Sequence, residues 1–135
     1  MTFEEKLKTF RDYYATTLEL GGIQGLLGWD QLTYMPVGAM QSRGEQLQAL
    51  GGILYDRSTS PEYGQLIADL VAEIPDLDAD EPTARELKLA KRNYEQSTKV
   101  PKEKMMELIM TTSVAQGVWQ KAKEENDFAA FQPHL

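Results

Sequence analysis

Apolar side chains recur every three or four positions along almost the whole chain, which is the spacing of one face of an α-helix. The two-residue alternation that is typical of strands is not sustained anywhere in the sequence. Thr2 and Glu5 can form a capping box at the start of the first helix. The apolar face of that helix consists of Phe3, Leu7, Phe10, Tyr14 and Leu18. The pattern predicts an all-α protein whose first helix ends near Leu20.

Glycine and proline interrupt the next part of the chain. The pair Gly21-Gly22 predicts a break, which a short apolar segment at residues 23–29 follows. The residue before a proline is pushed out of α geometry, so residues 33–36, which end in Pro36, are expected to form a turn. A second apolar stripe predicts a helix over residues 38–57, where close helix packing explains Gly44 and Gly51.

Three proline positions delimit the remaining helices. Ser60-Pro61 combines an N-cap with a first-turn proline and predicts a helix that Pro75 ends. An acidic link then leads to a helix with its apolar side at Leu87, Ala90 and Tyr94 and a basic, solvent-facing row at Arg85, Lys88 and Arg92. Pro101 begins the last long helix, whose apolar stripe is Met105, Leu108, Thr112, Ala115, Trp119 and Ala122. The sequence predicts five or six helices in a bundle-like array that forms one domain over residues 1–135.

Composition excludes several classes of function. The 135 residues include 14 Lys and Arg against 21 Asp and Glu, a net charge of −7, which argues against nucleic acid as a partner. The chain has no cysteine, so a disulfide framework, a thiolate nucleophile and a sulfur-based zinc site are excluded. The acidic start and the lack of a long apolar run predict neither a signal peptide nor a membrane span. We therefore expect a cytoplasmic protein.

Motifs for catalysis or metal binding are weak. A catalytic zinc ion normally takes three protein ligands, and the only histidine is His134. Asp76-x-Asp78-x-Asp80 resembles the opening of a calcium loop, but the sixth position is Glu81 where glycine is required. An acidic, solvated linker that caps the next helix is the favoured interpretation. We predict no catalytic, cofactor-binding or metal-ligating residue in the chain.

The most unusual composition begins at Trp29 and mixes an aromatic ring, an acid, a turn proline and a basic residue. The segment reads Trp29-Asp30-Gln31-x-Thr33-x-Met35-Pro36 and is followed by Arg43 and Gln46. We favour a structural interpretation in which Trp29 and Met35 are core residues, while Asp30 caps a helix or pairs with Arg43 to fix the turn. Direct contact with a ligand is the alternative.

Those residues, together with later motifs, resemble the N-terminal part of the carboxypeptidase Taq family of zinc metallocarboxypeptidases. The resemblance covers residues 18–135 in matching order and spacing. It rests on Gly28-Trp29-Asp30-Gln31-x-Thr33-x-Met35-Pro36-x-Gly38-Ala39, Ser42-Arg43-x-Glu45-Gln46-Leu47, Ser60-Pro61-Glu62-x-Gly64, Arg85-Glu86-Leu87, Lys99-Val100-Pro101, Ala115-Gln116-x-x-Trp119 and Asn126-Asp127-Phe128-x-x-Phe131-x-Pro133-His134-Leu135.

The resemblance implies a largely helical enzyme that removes C-terminal residues from peptides with one bound metal, zinc or another divalent ion, often as a homodimer. The family's His-Glu-x-x-His motif binds zinc through two histidines one helical turn apart, and its glutamate activates water. That motif lies downstream of the region matched here and is absent from this sequence. None of the family's metal ligands or catalytic groups can therefore be assigned to a residue of this chain.

Two hypotheses follow from the resemblance. The first is a helical lid or wall of the substrate groove in a metallocarboxypeptidase, inactive alone, with the missing catalytic region or a second copy as its partner and peptides as the parent enzyme's substrate. The second is a free-standing helical module for protein interaction or oligomerisation. In either case the family-motif residues are expected to be structural: Trp29, Asp30, Gln31, Thr33, Met35, Pro36, Arg43, Gln46 and Trp119.

Overall fold

A computed structural model describes all residues from 1 to 135 and has six α-helices and no strand. The helices are α1 (Phe3–Thr33), α2 (Met40–Ser58), α3 (Pro61–Glu73), α4 (Pro82–Ser97), α5 (Lys102–Glu125) and α6 (Phe128–Phe131). Short 3-10 helices cover Val37–Ala39 and Gln132–His134. None of the helices has the length and apolar character that a membrane crossing requires. The predicted all-α class and the number of helices are confirmed.

The predicted break at Gly21-Gly22 is wrong, because α1 continues through both glycines for 31 residues. Neither glycine has a positive φ, so each keeps the helical backbone. Glycine in a helix interior costs about 1 kcal/mol relative to alanine, which weakens a helix without ending it. The turn after α1 is confirmed: the backbone N–H groups of Tyr34 and Met35 both donate to the carbonyl of Asp30, at 3.0 and 2.9 Å.

The chain forms two compact units, which are described separately. Unit 1 contains Met1–Gly21 and Leu54–Pro101, and unit 2 contains Gly22–Ile53 and Lys102–Leu135. The long helices α1 and α2 each contribute one part to both units. The interpretation of residues 1–135 as one domain remains a prediction.

Unit 1 is built around apolar residues of α1, α3 and α4. Its buried core consists of Leu7, Phe10, Tyr63, Ile67, Leu70, Leu87 and Ala90. Both predicted helix starts are confirmed. The backbone N–H of Thr2 donates to Glu5 at 2.7 Å and that of Glu5 to the Thr2 hydroxyl at 3.3 Å. The Ser60 hydroxyl accepts a bond from the backbone N–H of Tyr63 at 3.0 Å.

The acidic linker does not cap α4 as predicted. The N-cap residue is Glu81, whose side chain makes no capping hydrogen bond. Instead, the linker pairs with the exposed basic side of α4, where Lys88 contacts Asp78 at 2.5 Å and Arg85 contacts Asp80 at 2.8 Å. The hydrogen bond from Lys88 lowers the pKa of Asp78.

Unit 2 consists of the second half of α1, the first part of α2, and α5 with the residues that follow it. These helices pack closely at positions where glycine has no side chain. A Cβ atom at Gly44 would lie 2.8 Å from the sulfur of Met110, and one at Gly51 would collide with Ile109. A Cβ at Gly117 would collide with Met40. The close packing predicted for α2 is confirmed.

Of the apolar stripe predicted for α5, only Ala122 is buried. The buried residues of α5 are Ser113, Gly117 and Ala122, whereas Leu108 is 55% and Trp119 is 41% exposed. Small residues let α5 approach its neighbours closely, and this packing outweighs the burial of the larger side chains. Much of the large apolar surface of α5 therefore faces away from the core of unit 2.

Candidate functional site

Arg43 fixes the end of α1 from its position on α2. Its guanidinium pairs with the carboxylate of Asp30 at 2.6 Å, and it also donates to the backbone carbonyl of Leu27 and, at 3.0 Å, to the side-chain oxygen of Gln46. The Arg43 side chain is 11% exposed and therefore largely shielded from water, whereas the Asp30 side chain is 37% exposed. The predicted Asp30–Arg43 pair is confirmed, and Gln46 belongs to the same network.

Gln31 connects α1 to α5 within unit 2. Its side-chain amide donates to the backbone carbonyl of Ser113 at 3.1 Å and to the Ser113 hydroxyl at 3.2 Å. Ser113 is buried, so this contact satisfies a polar group that water does not reach. The Thr33 hydroxyl donates to the carbonyl of Trp29 at 2.8 Å and closes the last turn of α1.

Trp29 is 54% exposed, so the prediction that it lies in the core is wrong. It packs against the exposed ring of Tyr34, with ring centroids 5.5 Å apart. The side chain of Gln31 contacts α5, and the backbone carbonyl of Leu27 contacts Arg43 of α2. Trp29 lies between them in sequence and therefore faces the opposite side of the helix. Met35 is half-buried and Pro36 is exposed.

A trough runs beside the end of α1 and along α5 in unit 2. It includes one cavity of about 320 Å³ and another of about 600 Å³, which share Leu32, Thr112 and Gln116. Trp119 lines the larger cavity, and the ammonium of Lys123 lies 5.1 Å from the centre of its ring. Neither of these cavities is lined by a charged side chain, but an adjoining cavity of about 430 Å³ shares Leu32, Gln116 and Trp119 and is lined by Lys123 and Glu124.

Sequence reasoning singled out Trp119 in this trough but missed Leu32, Thr112 and Gln116. Leu32 stands at an unassigned position of the motif that begins at Trp29, and Gln116 stands within the Ala115-Gln116-x-x-Trp119 motif. Thr112 belongs to the stripe predicted for α5, and the structure exposes it. Leu32 and Gln116 could have been found from the sequence because they lie within these motifs.

The residues of the trough can bind a ligand but cannot perform acid–base chemistry. They offer amide, hydroxyl and apolar groups, which do not exchange protons near neutral pH. The shifted pKa values in unit 2 are those of Lys104 and Glu107, a water-exposed pair in which the hydrogen bond raises the first and lowers the second. No group of three or more His, Cys, Asp or Glu side chains in residues 1–135 could hold a metal ion. The residues present do not fit a catalytic metal.

Comparison with known proteins gives one family. The model of the carboxypeptidase Taq (M32) metallopeptidase family matches residues 9–135. Carboxypeptidase 1 of Bacillus subtilis is 32% identical over 110 residues, which are 82% of this chain and 22% of that protein. Thermostable carboxypeptidase 1 of Thermus thermophilus is 26% identical over 135 residues, all of this chain and 26% of that protein.

Solved structures agree with these matches. The crystal structure of BsuCP aligns with 96% of this chain at a TM-score of 0.88 and 28% sequence identity. The M32 carboxypeptidase of Deinococcus radiodurans aligns with the same share at a TM-score of 0.73 and 28% identity. The chain covers 26% of each of these two structures, so it spans about a quarter of the length of its relatives.

Proposed function

Because the chain belongs to the carboxypeptidase Taq (M32) family of metallopeptidases, we propose that it is the N-terminal helical region of an enzyme that releases C-terminal amino acids from peptides. In this proposal the chain shapes the substrate groove and contributes no catalytic group. One observation carries the proposal: the chain aligns with BsuCP over 96% of its own length at a TM-score of 0.88, but with 26% of that structure. The chemistry then belongs to the remaining part of the enzyme.

The trough of unit 2 supports a role in peptide binding. A peptide backbone carries one donor and one acceptor per residue, and the amide of Gln116 can satisfy either. Leu32 and Trp119 offer apolar contact to side chains, and Trp119 is 41% exposed and accessible to a ligand. Lys123 and Glu124 line the adjoining cavity and can pair with charged groups of a peptide. Holding a peptide in place increases the rate of its hydrolysis without a reacting group in the trough.

The metal of such an enzyme would supply Lewis-acid chemistry for peptide hydrolysis. The ligands for it would come from outside these 135 residues, since none of their side chains form a suitable group. Arg43 and Gln31 have positioning roles in this proposal. They fix the last turn of α1 against α2 and α5 and thereby hold the wall of the trough.

The test is a chimera in which the 135 residues replace the matching segment of Bacillus subtilis carboxypeptidase 1. We expect the chimera to release the C-terminal amino acid from an N-blocked dipeptide in a chelator-sensitive reaction, whereas the same enzyme without the segment does not. Trp119→Ala should raise KM about tenfold and leave kcat nearly unchanged, because it removes contacts that substrate and transition state share. Tyr34→Ala, an exposed aromatic outside the trough, is the matched control. An inactive chimera, or equal KM values for the two variants, contradicts the proposal.

A free-standing interaction module is the second candidate, and the exposed apolar residues of α1 favour it. Leu26 is 64% and Trp29 is 54% exposed, which is typical of a surface that meets another protein. On either view the isolated chain should form a homo-oligomer, because its exposed apolar surface promotes association. Sedimentation velocity tests this, and a clean monomer at high concentration contradicts it. An oligomer combined with an inactive chimera would favour the interaction module over the groove wall.

A further inference from the structure

The second half of α1 carries no charged residue from Leu20 to Trp29, and Gln24 is the one polar side chain in that stretch. One side contacts α2 and α5, through the carbonyl of Leu27 and the amide of Gln31. The opposite side, which we call the glycine face, follows the i, i+3, i+4, i+7 spacing and consists of Gly22, Gly25, Leu26 and Trp29.

Apart from the contact of Trp29 with the ring of Tyr34, the glycine face is uncovered within the chain. Leu26 is 64% and Trp29 is 54% exposed. A Cβ atom added at Gly22 or Gly25 would meet no other heavy atom within 4 Å. At Gly117 of the same unit, by contrast, an added Cβ would collide with a neighbouring side chain. Close packing therefore explains the glycine at position 117 but does not explain the glycines of the glycine face.

Two physical arguments indicate that another element covers the glycine face. Each helical glycine without a close neighbour weakens α1 and returns no packing. Leu26 and Trp29 share one side of the helix and are both more than half exposed, which is typical of a surface that contacts another molecule. Because Gly22 and Gly25 have no side chain, the backbone of another helix can approach α1 closely at this face.

We propose that the glycine face receives an α-helix from the part of the carboxypeptidase fold that lies outside these 135 residues. The inference rests on the proposed function. The length of the relatives supports this occupant, because the chain covers 26% of BsuCP and about three-quarters of that fold is available to supply the helix. The family fold is helical, so the element that crosses Gly22 and Gly25 is a helix. A second copy of this chain is the competing occupant.

The proposal predicts effects of opposite sign at Gly25. In the isolated chain, Gly25→Ala should raise the melting temperature by about 3 °C, because alanine favours the helix and the site is open. Gly25→Leu should raise it as well. In the chimera defined above, Gly25→Leu should lower the melting temperature and reduce the active fraction by about tenfold, since the side chain obstructs the docked helix. Ala68→Leu, which adds similar bulk at an exposed position of α3, is the matched control.

Hydrogen exchange of the second half of α1 supplies a readout that does not depend on activity. We expect the amides of residues 22–29 to exchange more slowly in the chimera than in the isolated chain. If the chimera is active and Gly25→Leu raises its melting temperature as it does that of the isolated chain, the inference is overturned. The proposed function is unaffected by that result. An inactive parent chimera contradicts the proposed function and the inference together. In a third outcome, the isolated chain forms an oligomer that Gly25→Leu dissociates, while the same substitution leaves the activity and melting temperature of the chimera unchanged. That result assigns the glycine face to a second copy of the chain and also overturns the inference.

Discussion

Arg43 and Arg85 make ion pairs of similar length in different surroundings. Arg43 lies 2.6 Å from Asp30 with a side chain that is 11% exposed, and it makes two further hydrogen bonds. Arg85 lies 2.8 Å from Asp80, with the two side chains 63% and 91% exposed. Water screens the Arg85–Asp80 pair. The contribution of each ion pair to the free energy of unfolding therefore depends on its exposure to water and not on its length.

Arg43→Ala should lower the free energy of unfolding by about 1–3 kcal/mol, because it leaves Asp30 and the Leu27 carbonyl without their partner. Arg85→Ala is the matched control and should change it by less than about 0.5 kcal/mol. Urea denaturation of the isolated chain measures both values. Equal, small effects would show that the Arg43 network does not stabilise unit 2.

Tyr63 predicts a loss of stability at high pH. Burial, with the neighbouring phenols of Tyr14 and Tyr13, raises the pKa of Tyr63 from 10.0 to about 12. The unfolded chain gives up this proton first as pH rises, so stability is complete below about pH 10 and falls between about pH 10 and 12. Urea denaturation across this range should show a smaller fall for Tyr63→Phe. Tyr34→Phe, on an exposed ring, should retain the original fall, and identical profiles for the two variants would contradict the prediction.

Sequence reasoning at the residue scale succeeded where chemistry was local. The Asp30–Arg43 pair was predictable because opposite charges flank a short turn, and the Ser60 cap because a proline follows it. The exposure of Trp29 was not predictable, because an aromatic residue inside an apolar run is usually buried. Its surroundings depend on which side of α1 meets α2 and α5.

At the element scale, helix existence was predictable and helix faces were not. The positions of Pro61 and Pro101 mark the starts of α3 and α5 as the sequence indicated. The length of α1 was missed because helix propagation tolerates two adjacent glycines. The buried face of α5 was missed because close approach at Gly117 and Ser113 depends on a neighbouring helix, which periodicity within α5 does not describe.

Gly64 is an element-scale test of close helix packing in unit 1. A Cβ at this position would overlap the rigid ring of Tyr94, which cannot yield as a flexible chain end can. Gly64→Ala should therefore destabilise the chain by about 1–3 kcal/mol. Gly52→Ala is the matched control, because its nearest neighbour is the Met106 sulfur at an ordinary 3.5 Å, and it should stabilise α2 slightly. Thermal unfolding measures both, and a stabilising Gly64→Ala contradicts this packing.

At the scale of the whole molecule, the helices are well formed, but many large apolar side chains remain exposed to water. Phe10, Leu70 and Leu87 are fully buried in unit 1, whereas Leu26 and Leu32 in unit 2 are 64% and 60% exposed. Large apolar side chains exposed in this way are typical of a surface that contacts another protein. In the proposed function, the remaining part of a larger helical peptidase would cover them. The family was recognisable from ordered motifs, but the trough and the glycine face required the packed helices.

The most direct test of the account is a carboxypeptidase assay of the isolated chain and the chimera in parallel, with one N-blocked dipeptide, added zinc and a chelator control. The account predicts no release of the C-terminal amino acid by the isolated chain and chelator-sensitive release by the chimera. Chelator-sensitive release by the isolated chain would contradict the claim that these 135 residues shape a groove without supplying its chemistry.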